Sequence, residues 1–325
     1  LAFDGKKTMD IIIVCHTEFG FVSDKKFIPD KNRKEGVTAG VNNLVSLAER
    51  HKAKITFAVM PEAARDFPRD TGHEIGLHIH SGWQKFHLNG LNFDVGDAYL
   101  RKNCRQSSNS TVLRDFSYEE QSGMIIAGKE LLERELGVEP KVFVAGRWSI
   151  NNETVKVLVE QGFTHECSAP AHAKSDYFDW SQIPRICLPY HPDKDNYQKK
   201  GDLPLLIAPI SQFFRLGNVT PEVIGRVGLS WLKASFQEYY RQGVPLFHIC
   251  LHSPVMTDSY YISAMDELIG HIARHKNINF KFASEIKEYP AKNYRTDIFP
   301  YLLNVNGEIF KRIFTRLKHQ ACNTG

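Results

Sequence analysis

The segment Gly72-His73-Glu74-Ile75-Gly76-Leu77-His78-Ile79-His80-Ser81-Gly82-Trp83 places three imidazoles and a carboxylate in largely apolar, strand-like sequence. Side chains alternate faces along a strand, so a strand over Glu74–His80 puts His78 and His80 on one face and Leu77 and Ile79 on the other. Two imidazoles sharing a face, followed by a Ser-Gly turn, suit a transition metal that takes nitrogen ligands and keeps a position open for water. The competing reading is a wet strand end with solvated histidines. A second polar cluster, His16-Thr17-Glu18, closes the apolar run Ile11-Ile12-Ile13-Val14-Cys15, which has the pattern of a strand buried on both faces. Other strand-like runs end at Arg147, at His165 and Glu166, and at His252.

Strand-like runs at Ile11–Cys15, Ile55–Met60, Glu74–His80, Lys141–Ala145, Gly162–Cys167, Leu203–Ile210, Leu246–Leu251 and Ile278–Ala283 must position these residues. Between them the sequence predicts helices over Thr38–Lys52, from a Ser117 cap to Leu136 with Gly137 as the stop, Asn151–Gln161, Pro221–Arg241 and Tyr260–His275. This alternation predicts an α/β fold, a parallel, distorted (β/α) barrel of seven or eight strands whose C-terminal strand ends gather on one face. The polar stretch Phe86–Asp115 reads as an excursion that could cover a site, and Ala171–Lys200 as an extended surface segment. The expected organisation is residues 1–8 as lead-in or expression-derived residue, 9–288 as the barrel and 289–325 as a C-terminal extension, basic and apolar.

The chain of 325 residues is 42% hydrophobic and 24% charged, which excludes a disordered chain. Its net charge of +4 is scattered apart from a run over Lys311–Lys318, which argues against a nucleic-acid partner. The six cysteines lack CxxC spacing and several lie in apolar runs, so a reducing, cytoplasmic location is expected. No apolar run approaches the roughly 18 residues of a membrane span, and the N-terminus lacks a secretory pattern, so no stable membrane insertion is expected. Tyr301, Leu302, Leu303, Ile309, Phe310, Ile313 and Phe314 make the extension apolar enough to pack on the barrel or on a second copy in a homo-oligomer.

Gly72-His73-Glu74-Ile75-Gly76-Leu77-His78 resembles the GHEIGxH segment of the NodB-homology polysaccharide deacetylases, carbohydrate esterase family four. Val144-Ala145-Gly146-Arg147-Trp148, followed by Asn152-Glu153-Thr154 and Gly162-Phe163, resembles RAGRWG…LGF of a bacterial subgroup. Glu166-Cys167-Ser168 with Pro170 stands where that subgroup has DSS…P, Leu205–Ile210 echoes LLEIPV, and Leu251-His252-Ser253 resembles the closing LHS. The resemblance runs from Met9 to Glu288 with the motifs in order. It implies a barrel that holds one divalent metal, usually zinc, and removes an acetyl group from an amino sugar or polysaccharide. By position it implies Glu18 and His78 as metal ligands, His252 as general acid and Arg147 as the partner that orients the base. Asp179-Trp180 resembles a family DW pair, with Asp179 supporting the acid and Trp180 lining the sugar site; Trp83 and Trp148 are further candidates for stacking on sugar faces.

Two departures matter. The usual TFDD is His16-Thr17-Glu18, so a histidine stands where the aspartate base is expected, and Gly82 stands where HxxxH has its second histidine. His80 is the nearest replacement metal ligand, with His87 a second candidate. His16 is then a base, which a pKa near 6.5 permits, or an added nitrogen ligand, or a sign of lost activity. Glu166 could supply the missing carboxylate. The expected function is metal-dependent deacylation of an amino sugar, free, nucleotide-linked or lipid-linked. The alternatives are a carbohydrate-binding pseudoenzyme and a hydrolase of a non-sugar C–N bond.

Overall fold

The computed structural model describes residues 8–88, 91–214 and 217–310; the basic run over Lys311–Lys318 lies outside them. Eight parallel strands form one curled sheet. In chain order these are β1 (Met9–Thr17), β2 (Thr56–Val59), β3 (Glu74–Ile79), β4 (Val142–Ala145), β5 (His165–Glu166), β6 (Leu206–Ile207), β7 (Leu246–His252) and β8 (Ile278–Lys281). The sheet order is β6-β5-β4-β3-β2-β1-β7. β8 pairs with Met9–Ile12 of β1, below the point where β2 pairs with Val14–Thr17, so two strands share one edge of β1. β6 and β7 form no ladder with each other; Ser211 N–H donates to His248 O at 3.1 Å and Cys250 N–H to Val219 O at 3.1 Å across the gap. The fold is a distorted, incompletely closed (β/α) barrel.

Helices α1 (Ala39–His51), α2 (Tyr118–Leu136), α3 (Asn152–Glu160), α4 (Leu229–Gln242) and α5 (Ser259–Ala273) accompany the sheet. Ser117 and Glu120 close a capping box on α2, and Gly137 ends it at φ 70°, a left-handed conformation that glycine adopts without Cβ strain. The helix expected over Pro221–Arg241 is broken at Gly228 (φ 76°) into a short turn and α4. The strands expected over Gly162–Cys167 and Leu203–Ile210 shrink to two paired residues each. Gly162 (φ 73°) is spent on the turn after α3, and Pro204 and Pro209 supply no N–H to a ladder.

Strand parity divides the core in two. Ile11, Ile13 and Cys15 of β1, Leu77 and Ile79 of β3, and Phe247, Ile249 and Leu251 of β7 pack outward in the larger cluster, under the helices. Ile12, Val14, Ala58, Val142, Val144, Cys167 and Leu206 fill the barrel interior in a separate cluster. Continuing each inward row by two residues reaches His16 on β1, and His78 and His80 at the end of β3.

Candidate active site

Glu18 lies at the centre of the barrel mouth. Its Oε1 is 2.9 Å from His78 Nε2, 3.4 Å from His80 Nε2 and 3.8 Å from His252 Nε2. Ligand atoms of His16, Glu18 and His78 all lie within 4.8 Å of one another, and the His16 ring is centred 4.8 Å from those of both His78 and His252. The backbone on either side of the mouth is tied by Ser253, whose hydroxyl accepts from Glu18 N–H at 3.2 Å.

His78 Nδ1 is 3.0 Å from Val144 O, a pure acceptor, so Nδ1 carries the proton. Burial holds the His78 imidazole below its ordinary pKa and therefore neutral at pH 7. Its Nε2 then presents a lone pair toward the Glu18 carboxylate at 2.9 Å. Two acceptors at that distance repel unless a cation lies between them. Burial alone would raise Glu18, but the imidazoles around it, His80 foremost, outweigh burial and hold the carboxyl well below its usual range. Burial, reinforced by the charge of His252, keeps His16 well below its ordinary value, and its buried Nε2 has no hydrogen-bond partner among the described residues. A neutral imidazole with an unpartnered nitrogen, a second imidazole oriented by a backbone carbonyl and an ionised carboxylate match the donor set of a zinc-type site.

His252 is set differently. Its Nδ1 is 2.8 Å from Glu222 Oε1, and the same oxygen accepts from its backbone N–H at 2.9 Å. Burial opposes the His252 cation, but the hydrogen bond and charge of Glu222, with Glu18 behind, outweigh burial and raise its pKa. Glu222 has no counterpart in the sequence reading, because after Thr220-Pro221 an acidic residue is already explained as a helix-start residue. Phe27, Pro29 and Val95 were missed as well; with Arg147 and Trp148 they wall a cavity of about 340 Å³ over His16, Glu18, His80 and His252. Phe27 and Pro29 come from a hairpin of Gly20–Ser23 and Lys26–Pro29, and Val95 ends a second hairpin of Gln84–Leu88 and Leu91–Val95. The expected excursion after Phe86 is therefore partly this second hairpin.

Arg147 and Trp148 follow β4 with φ of 57° and 52°. Two consecutive left-handed residues other than glycine cost roughly 1–3 kcal/mol each and are tolerated where the surroundings fix them. Here Trp180 Nε1–H donates to Trp148 O at 3.1 Å, and the Arg147 guanidinium sits 4.5 Å from the Tyr177 ring centre. Gly146 allows His80 its place, since a Cβ there would lie 2.7 Å from His80 Nδ1.

Scans against protein-family models and searches of curated proteins give no match. Solved structures do match. A Mycobacterium smegmatis protein assigned as a polysaccharide deacetylase superposes with a TM-score of 0.58 at 16% identity, covering 91% of this chain and 97% of that one. Puue allantoinase gives 0.58 at 17% identity over 87% and 90% of the two chains. A Pseudomonas aeruginosa PAO1 protein, also assigned as a polysaccharide deacetylase, gives 0.57 at 17% identity over 85% and 89%. The chain has the NodB deacetylase fold.

Within that deacetylase fold the mouth gathers His16, Glu18, His78, His80, Arg147, Trp148 and His252. It does not gather the others. Glu166 is fully buried beside the inward-facing Cys167, so strand alternation turns it away from the barrel axis; one of its oxygens accepts from Ser168 N–H at 2.7 Å. Burial pushes its carboxyl up to about 8. Asp179 is held outside the cavity by Lys174 at 2.6 Å and by Ser181, and these hydrogen bonds draw its carboxyl down to about 2. Trp180 is fully buried with its ring 4.9 Å from Tyr197, so it supports Trp148 from behind and has no face for a sugar. Trp83 lies outside the cavity lining, with Lys31 at 4.4 Å and Arg101 at 5.3 Å from its ring centre. His87 pairs with Asn92 at 2.8 Å within its own hairpin.

The five cysteines among the described residues are free thiols. No helix among the described residues is long and apolar enough to cross a membrane. Of the apolar residues expected to pack in the C-terminal segment, Tyr301 and Ile309 are buried, the Tyr301 hydroxyl 2.8 Å from Glu238, whereas Leu302, Leu303 and Phe310 are exposed; Ile313 and Phe314 lie outside the described residues.

Proposed function

We propose that the protein is a divergent carbohydrate esterase family four hydrolase that removes an acyl group, acetyl in the first instance, from an amino sugar. The observation that carries this reading is the neutral His78 facing the ionised Glu18, a pair of acceptors that calls for a cation. A divalent ion, zinc by the donor set, would be held by His16, Glu18 and His78, and when bound would supply Lewis acidity toward an amide carbonyl and toward water. The cluster of their ligand atoms supports His16 as the third ligand ahead of His80.

The chain's own groups then divide the work of hydrolysis, in which water adds oxygen to the acyl carbon, the C–N bond breaks and the nitrogen leaves as an amine. His80, backed by Gly146 and facing Glu18, accepts the proton of the attacking water. His252, held in one tautomer by Glu222 and raised in pKa, donates the proton that the departing nitrogen takes up. Phe27, Pro29, Val95 and Trp148 keep bulk water off the scissile bond. The histidine at position 16 favours one alternative, a carbohydrate-binding pseudoenzyme.

Elemental mass spectrometry on protein purified without a metal-affinity column tests the reading. About one metal per chain, lost in Glu18→Ala and His78→Ala, with acetate released from N-acetylated sugars, is the expected result. Absence of metal after incubation with zinc favours the pseudoenzyme.

A further inference from the structure

The cavity over Glu18 is small and half roofed. At about 340 Å³ it lies at the low end of the roughly 300–1,000 Å³ typical of small-molecule sites. Its roof comes from the two hairpins described above, whose strands Lys26–Pro29 and Leu91–Val95 touch each other. Beyond the roof Lys31 Nζ is 3.6 Å from Asp94, so the hairpins meet on that side of the mouth. Phe27 stacks on the His252 ring at 4.8 Å between centres, covering the group that faces the departing amine. A polymer bound through an internal residue needs an open cleft running past the scissile bond in both directions, and the bridged hairpins close one direction.

The aromatic faces on which successive sugars of a polymer would stack are also taken. Trp180 is buried, and Trp83, outside the cavity, has the Lys31 and Arg101 cations against its ring. Trp148 alone of these tryptophans lines it.

We infer that this site takes a small N-acyl compound whole, no larger than a single acylated amino sugar with its acyl group against Phe27, Pro29, Val95 and Trp148, and rejects internal residues of a polymer. The inference rests on the hydrolase reading only for the bond broken; the size limit is a property of the cavity.

The test uses the full chain loaded with zinc. Amine release and calorimetric binding are measured for N-acetylglucosamine and for its β-1,4-linked tetramer, with wild type and with Phe27→Ala and Lys31→Ala. The expected result is monomer favoured over tetramer by about tenfold or more in kcat/KM and in affinity, with the preference narrowed in both variants, because steric exclusion sets it. Tetramer favoured, in turnover or in binding, would overturn the inference while leaving the hydrolase reading in place. Monomer bound preferentially but not hydrolysed would overturn the hydrolase reading and support the size limit. Binding of neither would overturn both.

Discussion

The ends of β1 and β5 carry the same residue types and meet opposite fates. His16 and Glu18 are two residues apart and both reach the barrel mouth, as do His78 and His80 with the same spacing. His165 and Glu166 are adjacent, so one faces inward, with His165 Nε2 3.2 Å from Ile286 O, and the other is sealed behind the sheet. A pair at spacing two doubles the donors on one face of the sheet, whereas an adjacent pair divides them between faces. Spacing as well as residue type therefore decided which polar strand end gathered its donors at the mouth.

The contrast breaks most sharply at Glu18. Glu18→Ala should abolish metal binding and lower acyl release by about a thousandfold or more, read by elemental analysis and an acetate assay. Retained metal would mean that the cluster at the end of β1 is no more a metal site than β5. Glu222→Gln should lower kcat by about ten- to a hundredfold. Glu222 raises the His252 pKa, and the acid form exists below that pKa. Losing the carboxylate should therefore move the alkaline limb of the kcat profile to lower pH; an unmoved limb would remove His252 as proton donor.

Gly146→Ala sharpens the division of roles within the mouth. The added Cβ displaces the His80 ring, so activity should fall by about tenfold while one metal per chain is retained. Loss of the metal would make His80 the third ligand in place of His16.

On the β5 side the expected effect is on stability. Glu166 has a folded pKa of about 8 against a model-peptide value of 4.5, so between these values the folded state keeps a proton that the unfolded state has released. Stability therefore falls as pH rises through that window. Glu166→Gln cannot ionise and can keep the Ser168 hydrogen bond, so it should gain roughly 2–4 kcal/mol relative to wild type on going from about pH 4.5 to about 8. Denaturant unfolding at the two pH values checks this, and parallel curves would contradict it. The smallest effect belongs to Asp179→Ala, whose partners lie outside the cavity. Its acetate release should stay within about twofold of wild type, and a larger loss would return Asp179 to the site.

The sequence by itself determined the inward rows. Period-two alternation in apolar runs fixes which face His16, His78 and His80 occupy, and the Ser117/Glu120 box and Gly137 fix both ends of α2, because these are local rules of chain geometry. Glu222 beside His252, Phe27 above it, and Trp180 hidden behind Trp148 were decided only in the tertiary structure. Each depends on how a loop returns over a sheet strand distant in sequence, and residue type at a loop position does not specify the direction of that return. The extension beyond Pro290 shows the same boundary in its described part. Apolar type there does not decide burial: Tyr301 is buried with its hydroxyl on Glu238 of α4, 63 residues earlier in the chain, while Leu302 and Leu303 beside it are exposed.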